Sequence, residues 1–238
     1  MTRRSAGAKI VDDPTIFYRG GRRDAMRLAI YGGTFDPIHY GHLICAEEAL
    51  EAYQFDEFWF LPAARPPHKL DDPNRASPEH RYEMTRLAIE GHPAFRISRS
   101  EIDRQGRSYA IDTAREFLNA YGNNATLSWI VGADSLIEFE IWRDHDALLD
   151  LCRFIAVTRP NYDLSRAPKR VLEKTELFEM TAVDLSATDI RRRVREGRSI
   201  RYRTPAVVEE YIRQNRLYVR SGAHHNARDN AGGQGGSS

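Results

Sequence analysis

An α/β fold with a mainly parallel sheet, helices on both of its faces and a small helical C-terminal part is what this 238-residue sequence predicts. Three observations carry that expectation. Short apolar and aromatic runs alternate with stretches of helical periodicity, the pattern of strand-helix-strand units. One run, TLSWIV at 126–131, is apolar enough to be a central strand covered on both faces. Two glycines, Gly32 and Gly33, stand directly after the first run, at the strand end where open α/β sheets receive ligands.

The first strand is expected at 27–31 (RLAIY), running into a Gly32-Gly33-Thr34 turn. After Pro37 a helix begins near Gly41 and covers 43–53, and the second strand is 57–61 (EFWFL). Ser77 suits an N-cap and Pro78 a first helical position, so the next helix runs from there to Gly91. A short strand at 95–98, a helix at 109–120 and the central strand at 126–131 follow, the last broken by Gly132. Short helices at 135–139 and 146–151 lead to a buried strand at 153–157. Beyond a Pro-bearing stretch come a helix around 166–174 and a strand near 177–180. Helices at 187–196 and 205–215 close the domain, the second with Thr204 as N-cap and Pro205 in its first position. A single Rossmann-like, doubly wound domain is expected over 26–220, with 186–220 as its helical C-terminal part. Residues 1–25 and 221–238 lack sustained periodicity and are expected to be a flexible extension and a disordered tail.

Composition narrows the function. A formal net charge of +1 with 41% hydrophobic residues argues against a disordered or heavily basic nucleic-acid coat, so any polyanion handled is a small one. Cys45 and Cys152 each lie in an apolar stretch without metal or redox spacing, and read as reduced core residues. No run approaches the ~18 apolar residues of a membrane span, and no secretory signal is visible. The expected location is the cytoplasm.

The segment from Gly32 to His42, GGTFDPIHYGH, carries the chemistry. Glycines at a strand end let backbone N–H groups approach a ligand, and the helix start that follows favours an anion. It contains neither G-x-G-x-x-G nor a Walker loop. His39 and His42, flanking Tyr40 and Gly41, have three readings: metal ligands, a structural pair, or N–H donors to phosphate oxygens. The segment resembles the signature of the nucleotidylyltransferase superfamily, whose H-x-G-H element is matched by His39-Tyr40-Gly41-His42. A second segment, Leu185-Ser186-Ala187-Thr188-Asp189-Ile190-Arg191, resembles the superfamily's I-S-x-T-x-I-R motif, with Leu185 in place of isoleucine. Its residues are also readable without the family. Ser186 and Thr188 place hydroxyls at a helix start and Arg191 adds a cationic fork one turn on, although a plain N-cap serine before a basic helix reads the same way. The strip RRRVREGRSIRYR at 191–203 reads as a solvated face at the edge of the phosphate site or as an RNA-binding strip, the former favoured by the near-zero overall charge.

Four further segments, Arg65-Pro66-Pro67-His68-Lys69, 77–89, Gly132-Ala133-Asp134-Ser135-Leu136 and Trp142, resemble those of the bacterial nicotinate-nucleotide adenylyltransferase family. The resemblance implies an enzyme of NAD biosynthesis that joins ATP and nicotinate mononucleotide into deamido-NAD and pyrophosphate, with magnesium carried by the ATP phosphates rather than by a protein metal site. It implies Gly32, Gly33, Thr34, Phe35, His39, His42, Ser186, Thr188 and Arg191 for ATP, with His39, His42, Arg191 and Lys69 as the catalytic set. For the mononucleotide it implies Gly132, Asp134, Tyr109, Ala110 and Trp142. Asp134 reads equally as a ribose ligand or a helix N-cap, Trp142 as a pyridine-stacking face or core, and Lys69 as a phosphate partner or a surface lysine. In Ser108-Tyr109-Ala110 the family commonly has threonine where this chain has Ala110, which leaves a backbone N–H as the donor for a pyridine carboxylate. A phosphate acceptor is already mostly ionised near neutral pH, its second pKa being about 6, so the reaction calls for positioning and charge stabilisation rather than a strong base. Competing readings are a sister adenylyltransferase acting on nicotinamide mononucleotide or a phosphorylated pantetheine, a non-catalytic nucleotide sensor, and an RNA-binding module. No nucleic acid or membrane partner is expected, and the oligomeric state is not legible.

Overall fold

The computed structural model describes residues 25–64, 75–158 and 163–219. The expectations for the two tails and for Lys69 lie outside the described residues. Six strands form one sheet: β1 Met26–Gly33, β2 Glu57–Pro62, β3 Phe95–Ile97, β4 Ala125–Gly132, β5 Arg153–Thr158 and β6 Thr175–Glu179. Their order is β3-β2-β1-β4-β5-β6, and every pairing is parallel, so the sheet is wholly rather than mainly so.

Period-two alternation sorts the strand side chains onto two faces. Ala29, Phe58, Phe60, Ile130 and Ile155 point to one core, while Leu28, Ile30, Trp59, Trp129 and Phe154 point to the other. On the first face pack α1 (Tyr40–Tyr53) through Cys45, Ala46 and Ala49, and α2 (Pro78–Ile89) through Met84 and Ile89. A four-residue turn of helix, α3 (Ser100–Asp103), then carries the chain over the sheet edge. On the second face lie α4 (Ala110–Tyr121), the short α5 (Asp134–Ile137), α6 (His145–Leu151) and α7 (Lys169–Glu173). Finally α8 (Ala187–Arg195) and α9 (Ala206–Gln214) return to the first face through Ile190, Val208 and Ile212. The winding reverses between β1 and β4, so the loops at their carboxyl ends diverge and open a crevice. Burial of each large apolar side chain contributes roughly 1.5–3 kcal/mol. Both cysteines are free and buried. No helix among the described residues is long and apolar enough to cross a membrane.

Several local expectations are corrected. Gly32 and Gly33 are not a turn: β1 continues through both, in register with Leu61 and Pro62. α1 starts at Tyr40, one residue before the expected start near Gly41, and His39 has the extended backbone of an N-cap. The single helix expected at 135–139 divides into α5 and a 3₁₀ turn, Phe139–Ile141. Strand β6 starts two residues early, at Thr175, whose hydroxyl donates to the Val171 carbonyl at 2.7 Å; it is an edge strand whose Leu177 is exposed, which blurs its apolar signal. Thr204 is not the α9 N-cap, since its hydroxyl donates to the Ile38 carbonyl at 2.7 Å, and Pro205 takes the cap position.

Candidate active site

The loop between β1 and α1 is moulded around aromatic rings. A Cβ on Gly33 would stand 2.7 Å from the Phe35 ring, and one on Gly41 would stand 3.1 Å from the His39 imidazole. At both positions a side chain would force an aromatic ring of this chain to shift, beyond any room the glycines leave for a ligand. Phe35 adopts a left-handed backbone, φ 47°, which costs a non-glycine residue on the order of 1–3 kcal/mol. Its ring repays part of this by packing edge-on against Tyr31 and His42, at 5.5 and 5.1 Å between centroids. With its ring buried, Phe35 presents to the crevice chiefly its backbone.

His39 and His42 stack face to face, 3.7 Å between centroids. The His39 backbone N–H donates to His42 Nδ1 at 3.2 Å, which fixes the tautomer: His42 carries its proton on Nε2 and can donate from there. Burial, then the neighbouring His39, holds the His42 pKa well below its ordinary 6.5, so it is neutral at physiological pH. Stacked rings with one nitrogen already engaged do not converge on a metal. Among the described residues no group of three or more His, Cys, Asp and Glu side chains is placed to hold one.

The second motif is brought against the first. Leu185 lies 3.9 Å from a Cβ placed on Gly41, and Arg191 Nη1 donates to the Asp36 carbonyl at 2.7 Å across 155 positions of sequence. Ser186 caps α8, its hydroxyl accepting from the Asp189 N–H at 3.1 Å, and the Thr188 hydroxyl accepts from Arg191 Nη2 at 3.4 Å. Most arginines of the basic strip have partners close by in the sequence. Arg192 and Arg203 pair with Asp189, Arg198 pairs with Glu196, and Arg193 donates to the Ser199 carbonyl.

Beneath this surface lies a network that sequence reasoning missed. The Asp36 side chain is 2% exposed; its Oδ1 accepts from the Ala76 N–H at 3.1 Å and from the Tyr218 hydroxyl at 2.7 Å. Its Oδ2 faces Arg191 at 3.6 Å and Arg75 at 3.7 Å. Arg81, 1% exposed, donates to the carbonyls of Thr34, Ala64 and Ala76 at 2.8, 3.2 and 3.2 Å. Burial lowers the Arg81 pKa and the Asp36 charge works against that. Three guanidinium groups around one carboxylate leave the loop with a net positive field, suited to a polyanion. A signal for Arg81 existed: it occupies the stripe of Met84, Thr85 and Ile89, a core position that a charged residue takes only when fully bonded.

Across the crevice stand the remaining residues. Gly132 ends β4, and a Cβ there would meet Asp134 Oδ1 at 2.5 Å, so the exposed Asp134 carboxylate folds back over the strand end. Asp134 is the first residue of α5 rather than its N-cap, a position held by Ala133. Tyr109 is the N-cap residue of α4 and Ala110 its first helical residue, whose N–H is among those a helix start leaves free. The Arg143 guanidinium lies 4.6 Å over the Tyr109 ring, tying this helix start to the loop of Trp142. Trp142 is half-buried, 5.1 Å from the Phe139 ring.

The cytidylyltransferase-like family matches residues 30–193. A protein of Moorella thermoacetica named "Probable nicotinate-nucleotide adenylyltransferase" is 47% identical over 199 residues, 81% of this chain and 91% of its own length. The chain belongs to the nicotinate-nucleotide adenylyltransferase family. A family member of Thermus thermophilus with the same name is 44% identical over 193 residues, 81% of this chain and 100% of its own. Among solved structures, nicotinic acid mononucleotide adenylyltransferase of Plasmodium falciparum complexed with NaAD superimposes with a TM-score of 0.65 at 18% identity, over 81% of this chain and 97% of that one. The same enzyme complexed with APC gives a TM-score of 0.66 at 17% identity and the same coverage. At those identities the superpositions speak for the fold, which is the six-stranded parallel arrangement described above.

Proposed function

We propose that this chain joins the adenylyl group of ATP to nicotinate mononucleotide, giving deamido-NAD and pyrophosphate in NAD biosynthesis. The observation that carries the reading is the convergence of His39, His42, Thr188 and Arg191 on one crevice mouth, in a chain 47% identical to a relative bearing the name of that activity.

The chemistry follows from the tautomer and the charges. His42 Nε2–H and the Arg191 fork donate to triphosphate oxygens, and the surplus positive field offsets charge that develops on the α-phosphate and the departing pyrophosphate. A neutral His42 loses nothing by acting as donor, because the acceptor phosphate brings its own anionic nucleophile. Asp134 meets a ribose hydroxyl, the N–H of Ala110 receives the pyridine carboxylate, and the Trp142 ring covers the pyridine. Lys69, which lies outside the described residues, is assigned to the phosphates on the family resemblance alone. The donors lining the phosphate side are imidazoles, hydroxyls and guanidiniums, a set that suits phosphate rather than a hard cation. Magnesium held by the triphosphate and water would screen the nucleotide's charge. The expected location is the cytoplasm.

Pyrophosphate release from ATP with nicotinate mononucleotide, nicotinamide mononucleotide or phosphopantetheine tests the assignment. Turnover should be fastest with the nicotinate acceptor. Preference for either other acceptor, or no turnover with any, overturns it.

A further inference from the structure

Trp142 owes its pose to a clamp that lies outside the family's motifs. Its backbone N–H donates to the Phe139 carbonyl at 3.0 Å, and its own carbonyl lies 3.1 Å from His145 Nδ1. His145 Nε2 stands 2.6 Å from Arg170 Nη2. A guanidinium has no acceptor, so Nε2 must accept, and the imidazole proton is therefore on Nδ1, pointed at the Trp142 carbonyl. The same Arg170 donates to Glu140 Oε1 at 3.2 Å and Asp146 Oδ1 at 2.9 Å. One α7 side chain thus grips residues on both sides of Trp142 in the sequence. Between them Asp144 takes a left-handed backbone, φ 50°, which favours glycine, so the turn needs holding. Behind it the Phe139 ring, fully buried, backs both Trp142 and His145, at 5.1 and 6.2 Å between centroids.

We propose that His145, locked by Arg170, is a positioning residue that sets the Trp142 ring for the pyridine mononucleotide. The inference rests on the reading of Trp142 as the pyridine-covering face. His145 touches no substrate; it acts by fixing the backbone from which the ring projects.

The test is steady-state kinetics, with both substrates varied, on His145→Leu, His145→Asn, Arg170→Met and Trp142→Ala. Losing the Nδ1–H donor should raise KM for nicotinate mononucleotide about three- to tenfold, the worth of one hydrogen bond, with kcat and KM for ATP within about twofold of the parent. His145→Asn keeps an N–H donor in nearly the same place and should recover most of the loss. Arg170→Met, at a half-exposed surface position, should give the same split even if His145→Leu folds poorly. If Trp142→Ala raises KM for the mononucleotide while both His145→Leu and Arg170→Met leave it at the parent value, the clamp is wrong and the role of Trp142 stands. If Trp142→Ala leaves it unchanged, the Trp142 reading fails and the clamp fails with it. Equal shifts in KM for both substrates would also overturn the proposal, marking a general loss of structure.

Discussion

The two banks of the crevice are built differently. The bank after β1 is bonded from below by contacts spanning much of the chain: Arg81 to Thr34, Thr204 to Ile38, Arg191 and Tyr218 to Asp36. The bank after β4 is bonded along itself, Trp142 to Phe139 and to His145, with Arg143 and Arg170 as its ties to other helices. Exposure follows suit: Asp36 and Arg81 are 2% and 1% exposed, whereas Ile141, beside Trp142, is 64% exposed. A site for a triphosphate must hold several cations close together against their mutual repulsion, and that requires a rigid, interior support. A site for a flat ring needs one face and a few donors, which a surface turn can supply. Damage to the first bank should therefore cost fold and activity, and damage to the second should cost affinity alone.

The most direct way to break that contrast is Arg81→Met. It preserves the bulk of the side chain while leaving the carbonyls of Thr34, Ala64 and Ala76 without their donor and Asp36 with less compensation. The fully buried Ala76 contact costs about 1–3 kcal/mol and the part-buried Thr34 and Ala64 contacts less each, so a total loss of roughly 3–5 kcal/mol is expected in urea unfolding. A loss below about 1 kcal/mol, against that range, would mean that the phosphate bank does not depend on its interior support.

His42→Ala asks whether the half-buried imidazole of the same bank does chemistry or merely packs. Losing a donor aimed at developing charge typically lowers kcat about 10²–10³-fold. The stability change should be the smaller effect, since the His42 imidazole accepts a single part-buried hydrogen bond, from the His39 N–H. Near-normal turnover would remove His42 from the catalytic set.

The contrast also explains what the sequence alone makes legible. The fold class could be read because parallel strands covered on both faces are near-continuous apolar runs, and EFWFL and LSWIV are buried as such. The proposed phosphate bank could be suggested from two motifs, since Gly33, Gly41, His39 and His42 fall within one short segment and Ser186, Thr188 and Arg191 within another. Its foundation could not, because Asp36 meets Tyr218 across 182 positions, a pairing with no local signature. Thr204 misled for a related reason: Thr-Pro before a helix is good capping chemistry, yet the hydroxyl went to a carbonyl 166 residues away. On the other bank Asp134, Tyr109, Ala110 and Trp142 were reached by resemblance, and the clamp of Arg170 and His145 was invisible because its members lie on separate short helices.

Between the banks in magnitude stands Glu101 on α3, whose carbonyl accepts from the Ser108 hydroxyl ahead of Tyr109. Burial raises the Glu101 carboxyl from 4.5 to about 7, with Arg104 opposing the shift. The native state thus holds this proton more tightly than the unfolded chain. Its contribution is fully favourable below about 4.5 and is lost as pH rises through about 7. Glu101→Gln should therefore stabilise the protein at pH above 7 by on the order of 1–3 kcal/mol, with little gain near the acid end of that window. Melting temperatures of both proteins across pH 5–8 check this. A constant difference, or destabilisation at the alkaline end, would show that the carboxylate is compensated in the fold.

Trp142→Ala carries the smallest expected effect and discriminates most sharply between the banks. The ring is half-buried, with the Phe139 ring against it and the Tyr109 and Arg143 pair at the neighbouring helix start. If it were chiefly core, removing it would cost about 3–5 kcal/mol of stability and weaken both substrates together. If it is chiefly a stacking face, the loss falls on one substrate: about tenfold in KM for the mononucleotide, near 1.4 kcal/mol, with KM for ATP held within about twofold. The local bonding of this bank favours the second outcome. Phe139 also packs edge-on against Phe154, 5.0 Å between centroids, so the core beneath keeps an aromatic contact of its own when the indole is removed. A melting temperature that falls as far as that of Arg81→Met would abolish the distinction between a bank rooted in the core and one laid on the surface.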